Sequence, residues 1–257
     1  MSAAGATTEQ LGIPCDYFRR IAEVERTQWW HRGMREIARA LLAPHLAGRS
    51  GLSLLDAGCG TGGALRWALN LGPVAAVAGA DISAEAVALA RARVPEARLE
   101  VAPLRAMPFE AQSFDLVLTN DVLQHVPEPE LAESVAELRR VLRPGGVLLA
   151  RTNGALRARA ERDDWRLWSR ASLRATLEDA GLRCERVTYA NVAGSLVALV
   201  RGAAPRAPSH ERHGIPPAGG GRARDPRFRM LQAEAGWLAR PGRTLPYGHT
   251  LLALAVR

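Results

Sequence analysis

The sequence predicts an α/β fold: a mostly parallel, seven-stranded sheet with helices on both faces, an N-terminal helical cover and a helical insertion before the last strand. Three observations carry that expectation. From residue 52 onward short apolar, strand-like runs alternate with helix-like stretches, the order that builds a parallel sheet with helices on its faces. One of these runs enters a glycine-rich turn that opens a helix, and the ligand site of such folds lies at the carboxyl ends of the strands. At 257 residues, with 47% hydrophobic and 23% charged residues, the chain is long enough and apolar enough for one sizeable core.

Residues 1–12 are small and polar and read as a disordered tail, leaving 13–257 as a single domain. Residues 13–47 form the helical cover. Between Tyr17 and Leu46 the apolar positions Ile21, Val24, Met34, Ile37, Ala38, Leu41 and Leu42 recur at helical spacing, giving two helices interrupted around Trp29-Trp30-His31-Arg32-Gly33. The core, 48–190 plus 249–257, then runs strand Leu52–Ala57, helix Gly63–Leu69, strand Val74–Ala80 ending at Asp81, and helix Ser83–Val94 with Ser83 as its N-cap. Strands Arg98–Ala102 and Phe114–Thr119 follow, then helix Glu130–Val141, the turn Arg143-Pro144-Gly145-Gly146 and strand Gly146–Thr152. Helix Ser169–Ala180, strand Leu182–Tyr189 and strand His249–Val256 complete it. The insertion, 191–248, has helical stretches Ser195–Arg201 and Arg227–Arg240 around a linker, Gly202–Asp225, whose Pro205, Pro208, Pro216, Pro217 and Gly219-Gly220-Gly221 break any regular element.

All 34 basic residues are arginine, and the net charge of +8 is concentrated in residues 201–257, where ten Arg face only Glu211, Asp225 and Glu234. That segment reads either as a contact surface for an anionic substrate or nucleic acid, or as a solvated face. Cys15, Cys59 and Cys184 are odd in number and far apart, so neither a disulfide framework nor a zinc site is indicated, and a reducing cytoplasm fits. Met1 to Gln10 lacks the basic start and apolar core of a secretory leader, and no stretch approaches the length of a membrane span.

The segment Leu54-Leu55-Asp56-Ala57-Gly58-Cys59-Gly60-Thr61-Gly62-Gly63 carries the chemistry. Gly58, Gly60 and Gly62 let the main chain turn sharply and approach a ligand closely. Asp56 stands at the loop mouth and no Gly-Lys-Ser/Thr follows to neutralise phosphate, so the ligand should be cationic or zwitterionic. With Asp81 after the second strand, Met107-Pro108-Phe109-x4-Phe114-Asp115-Leu116-Val117, and Leu138-x3-Leu142-Arg143-Pro144-Gly145-Gly146, this loop strongly resembles the class I S-adenosylmethionine-dependent methyltransferases over roughly residues 50–155. Trp29-Trp30-x-Arg32-Gly33, Tyr189-x-Asn191 and Leu245-Pro246-x-Gly248-His249 look like one bacterial subgroup of them.

The resemblance implies a Rossmann-like fold, S-adenosylmethionine as cofactor with S-adenosylhomocysteine as product, and no metal. It places Gly58, Cys59, Gly60 and Gly62 against the methionine moiety, with Asp56 accepting from the cofactor's ammonium or merely capping the loop. Asp81 is placed on the ribose hydroxyls, or else serves as an N-terminal helix charge, and Ile82 lies against the adenine or in the core. Many relatives carry Asp before Leu-Pro-Phe. Here Pro103 stands instead and can neither donate nor accept through its side chain, leaving adenine recognition to the Leu104 backbone and its neighbours. Asn120 and Asp121 face the methionine portion, and His125 is either a general base or a histidine satisfying local backbone groups. Trp30 and Arg32 of the cover would roof the methionine chain and pair with its carboxylate, or pack as core, while His31, Tyr189 and Asn191 join His125 in the acceptor pocket. The expected activity is methyl transfer to a small molecule, such as a secondary or cell-surface metabolite. The alternatives are a peptide, protein or RNA acceptor, or a non-catalytic S-adenosylmethionine-binding module. Nucleic acid is disfavoured, because Asn120-Asp121-Val122-Leu123 is not the Asn/Asp-Pro-Pro-Tyr/Phe loop of base-flipping enzymes.

Overall fold

The structure, a computed structural model, describes residues 17–154, 166–192, 194–195 and 225–257. The expected tail 1–12 lies outside them, as do all of the stretch Ser195–Arg201 but Ser195 and all of the linker Gly202–Asp225 but Asp225. The elements are α1 (Tyr17–Thr27), α2 (Trp29–Leu46), β1 (Leu52–Ala57), α3 (Gly63–Ala68), β2 (Val74–Asp81), α4 (Ala84–Arg93), β3 (Arg98–Val101), β4 (Phe114–Asn120), α5 (Glu128–Val141), β5 (Leu142–Asn153), α6 (Arg170–Asp179), β6 (Arg183–Ala190), α7 (Pro226–Leu238) and β7 (Thr250–Val256).

They form the expected seven-stranded sheet, in the order β3-β2-β1-β4-β5-β7-β6. All pairings are parallel except those of β7, which runs antiparallel to β5 and β6. Strand order reverses between β1 and β4, which opens a crevice at their carboxyl ends. Side chains alternate across the sheet and so divide the core in two. Leu54, Leu116, Leu118, Val147 and Leu149 pack with Met34 and Ile37 of α2 and Leu231 of α7. On the other face Leu55, Val117, Leu148 and Ala150 pack with Val135 and Leu138 of α5 and Leu173 of α6.

Two boundaries differ informatively from the sequence reading. The break between the cover helices falls at Gln28, whose backbone is extended (φ −70, ψ 133), and α2 runs unbroken through Trp29–Gly33. Glycine is tolerated inside that helix because α7 crosses it there: a Cβ on Gly33 would overlap the Leu231 side chain. Strand β5 begins at Leu142 rather than Gly146. Its register with β4 jumps from Phe114↔Leu142 to Leu116↔Val147, so the Arg143–Gly146 turn is an irregularity within the strand, held by Gly145 N–H donating to Arg257 O at 3.0 Å. Ser83 does cap α4, accepting from Ala86 N–H at 3.3 Å.

The close approach at Gly33 makes it a stability position. Gly33→Ala is expected to destabilise the protein by about 1–3 kcal/mol, the usual cost of overpacking an interior contact, and thermal unfolding measures it. An unchanged midpoint would show that α7 is not seated on α2 in solution.

Candidate active site

Strand β1 delivers Asp56 to the crevice, and the chain then turns back over β2. Gly58 and Cys59 N–H both donate to Ala80 O, at 2.8 and 2.9 Å. Gly58, Gly60 and Gly62 all have positive φ (86, 50 and 77), and Gly62 is the left-handed N-cap of α3. A Cβ on Gly58 would overlap Val122 Cγ2, so the loop after β4 rests directly on the glycine loop. Cys59 turns its side chain inward: a Cβ on Gly79 would lie 2.9 Å from its Sγ, and burial pushes the thiol pKa well above its ordinary value. What Cys59 can offer a ligand is main chain.

Asp56 is buried and its Oδ1 has no hydrogen-bond partner. Its carboxyl is pushed up to about 8, first by burial, then by the Glu25 and Asp81 carboxylates, against the pull of Arg151 and a hydrogen bond with the Asn120 side chain. Asp81 works inside the protein: Oδ2 accepts from Gly60 N–H at 2.8 Å and Oδ1 from Ser83 N–H at 2.9 Å. Burial raises its carboxyl pKa while those backbone donors lower it. A carboxylate has about four acceptor sites, and with the Gly60, Ser83 and Ile82 backbone donors counted, one is left for a ligand. Beside it Ile82 is 40% exposed, an open apolar surface at the crevice mouth. Pro103 and Leu104 follow β3, half-buried, and Pro103 O accepts from Ala106 N–H at 3.1 Å to close a turn.

Beyond β4, Asp121 has φ 59, its N–H donates to Arg151 O at 2.8 Å, and its Oδ2 accepts from the Arg151 guanidinium at 2.7 and 3.1 Å. The anchor of this loop is Gln124, buried, whose Oε1 accepts from Thr152 Oγ1 and Asn153 N–H, both at 3.0 Å. His125 is exposed, with its N–H donating to Val122 O at 2.8 Å and its ring Nε2 3.4 Å from Gln124 Nε2.

The cover brings Trp30 and His31, both expected there, beside Arg151. The Arg151 guanidinium lies over the Trp30 ring at 4.9 Å, and His31 meets the same ring edge-on at 5.0 Å. Burial, reinforced by Arg151, lowers the His31 pKa to about 4, so its imidazole is neutral. The Arg32 guanidinium sits 4.3 Å over the Phe228 ring of α7, as Arg227 sits 4.9 Å over Trp29, so this side of α2 faces α7. The arginine reaching the glycine loop is Arg35, one helical turn beyond His31, donating to Gly63 O at 3.2 Å. From α1, Glu25 accepts from Thr61 Oγ1 at 2.8 Å and pairs with Arg93, its carboxylate lying where a Gly63 Cβ would be. Glu25, Arg35 and Arg151 are the site residues that sequence reasoning missed.

Tyr189 is buried in the α5/α6-side core, where a Gly154 Cβ would lie 2.9 Å from its ring. Asn191 (φ 61) forms a turn. Its N–H donates to Glu234 Oε2 at 2.7 Å, and its side chain packs where a Gly194 Cβ would be. Among the described residues no group of three His, Cys, Asp or Glu could hold a metal ion, and no helix is long and apolar enough to cross a membrane.

Residues 55–150 match the family model of a methyltransferase domain. The chain is 39% identical over 133 residues to a malonyl-[acyl-carrier protein] O-methyltransferase of Enterobacter lignolyticus, covering 51% of each chain. It is 38% identical over 95 residues to a trans-aconitate 2-methyltransferase of Variovorax paradoxus, covering 37% of this chain and 36% of that one. The chain thus spans about half or less of the length of these curated relatives. Its fold matches the crystal structure of an S-adenosylmethionine-dependent methyltransferase from Mesorhizobium loti, with a TM-score of 0.55, 21% identity and coverage of 84% of this chain and 95% of that one.

Proposed function

Because this chain belongs to the class I S-adenosylmethionine-dependent methyltransferases, we propose that it transfers a methyl group from that cofactor to a small-molecule acceptor in the cytoplasm. The observation that carries the reading is Asp56 Oδ1, a buried carboxyl oxygen with no partner at the mouth of the glycine loop. A native interior seldom leaves such an atom unpaired, and a ligand's ammonium group fits it. The other residues fit the same cofactor. Asp81 keeps acceptor capacity for ribose hydroxyls, Ile82 offers an apolar face for adenine, and Arg35, rather than Arg32, is the arginine at the methionine end.

When bound, the cofactor supplies an electrophilic methyl on a sulfonium. The chain's own contribution is alignment and exclusion of water. Asp56 orients the ammonium, the Arg151–Asp121 pair fixes the loop after β4, and the neutral His31 and Trp30 close the roof over them. His125 is exposed on that loop, and in this reading it is the base for an acceptor that must lose a proton. A small-molecule acceptor is supported by the relative named for trans-aconitate, and the relative named for malonyl-[acyl-carrier protein] adds a small acyl group borne on a carrier protein.

Calorimetric titration with S-adenosylmethionine and S-adenosylhomocysteine tests the first link, and absence of binding to either would sink the reading. Asp81→Ala is expected to weaken binding by ~1–3 kcal/mol, the scale of losing a charged acceptor. Unchanged affinity would remove Asp81 from the site.

A further inference from the structure

Asn153, the last residue of β5, is 1% exposed, and neither its Oδ1 nor its Nδ2 has a hydrogen-bond partner. Its main chain is satisfied in the ordinary way, the N–H donating to Gln124 Oε1 at 3.0 Å and the residue pairing with Thr250 of β7. The orphaned group is the side-chain amide alone. Burying an amide with both ends unpaired is among the more costly things an interior can do, and an apolar side chain of the same size would avoid it.

The direction of that side chain follows from the alternation of β5. Val147 and Leu149 lie in the core beneath α2 and α7, so Arg151 and Asn153 face the same way. Arg151 confirms the phase, since it lies under Trp30 of α2. In register, Arg151 pairs with Asn120 of β4, and Asp56 pairs with Leu118 of the same strand, two residues before Asn120. One polar row therefore crosses the carboxyl ends of the strands beneath the cover: Asp56, Asn120, Arg151 and Asn153. Its middle members are engaged, Asn120 with Asp56 and Arg151 with Asp121. Its two ends are not. Asp56 Oδ1 is buried and unpaired at the glycine-loop end, and the Asn153 amide is buried and unpaired at the end toward β7.

We propose that the Asn153 side-chain amide, at the end of this row opposite Asp56, is a recognition group for the methyl acceptor and selects a neutral carboxamide-type edge. The inference rests on the methyltransferase reading, in which the Asp56 end holds the donor. An asparagine presents a carbonyl acceptor and an N–H donor side by side, and its complement is a group that presents the same pair in reverse. A neutral edge is favoured over a carboxylate. The cation on the row, Arg151, stands two residues away along the strand, roughly 7 Å, and its charge is already met by Asp121. A carboxylate would also leave Oδ1 without a donor.

The test uses the full chain, isotope-labelled and saturated with S-adenosylhomocysteine, with propionamide as probe and propionate and butanone as controls. The Asn153 side-chain amide signals are assigned by their loss in Asn153→Leu. Propionamide is expected to shift those signals saturably. Asn153→Leu and Asn153→Ala are each expected to weaken propionamide binding about tenfold, the scale of one lost buried hydrogen-bonded pair, with S-adenosylhomocysteine affinity held within about twofold. Asn153→Leu should also unfold at the same or a higher temperature, because it removes an unpaired buried amide. Two results would overturn the proposal: propionamide binding equally well to both variants, or no shift with any probe while the amide shows a contact to a long-lived bound water. Failure of wild-type protein to bind S-adenosylhomocysteine is a separate outcome, seen by calorimetry, which overturns the methyltransferase reading and this inference with it.

Discussion

Gly58→Ala is expected to lower the free energy of unfolding by about 2–5 kcal/mol and to weaken S-adenosylhomocysteine binding about tenfold or more. Two independent costs add at this one position. The backbone φ of 86 is left-handed, which costs an L-residue with a Cβ roughly 1–2 kcal/mol. The new methyl would overlap Val122 Cγ2, an overpacking of ~1–3 kcal/mol. Relief requires Val122 to move, and Val122 belongs to the loop that carries Asp121 and Gln124, so the glycine loop and the loop after β4 shift together. The double variant Gly58→Ala/Val122→Ala separates the two costs: the steric part returns and the backbone part does not. Chemical denaturation reads the stability and calorimetry the affinity. A Gly58→Ala protein as stable as wild type would mean that the two loops are not in contact in solution.

What the sequence made legible was what a short segment determines by itself. The glycine loop, Asp56 at the strand end, Asp81 at the next one and the Ser83 cap are local patterns, and each occupies its expected element. Residues whose role depends on how an element is rotated were not legible in that way. Arg32 and Arg35 are three positions apart on α2, yet one lies over Phe228 of the insertion and the other reaches the glycine loop. The signal was present in the apolar periodicity. Met34, Ile37, Ala38, Leu41 and Leu42 define the inward stripe, and at about 100° per residue Arg32 falls on the opposite side of the helix while His31 falls within the stripe and Arg35 at its edge. Likewise, alternation from Val147 and Leu149 assigns Arg151 and Asn153 to the α2 face, but the turn Arg143–Gly146 looks like the beginning of the strand and hides how far it runs. Glu25 had no local signal at all. Its place depends on how α1 lies across α3 and α4, where Thr61 and Arg93 meet it.

Cofactor affinity is expected to rise with pH between about 6 and about 8, by up to about tenfold per pH unit, and then to level off. In the ligand-free protein burial and the Glu25 and Asp81 carboxylates push the Asp56 carboxyl up to about 8, so below that pH it is mostly protonated. An ammonium group binding at Asp56 favours the ionised form, and binding must therefore release a proton across this window. Calorimetry in buffers of different ionisation enthalpy counts that proton directly. The same shift has a consequence for stability, of opposite sense. A carboxyl whose folded pKa lies above its unfolded value of roughly 4 keeps an extra proton in the native state, so stability falls by up to ~1.4 kcal/mol per pH unit as pH rises through that window. Asp56→Asn lacks this loss, and the ligand-free variant should gain on wild type progressively from about pH 5 to about pH 8. His31, lowered to about 4, works the other way, since its stabilising contribution is lost as pH falls below about 6.5 and down through 4. The two groups thus separate: above about pH 6.5 the titration belongs to Asp56, and Asp56→Asn alone should abolish both the proton release and the pH dependence of affinity. A dissociation constant that is flat between about pH 6 and about pH 8, with no proton released, would mean that the buried carboxylate does not receive the cofactor's charge.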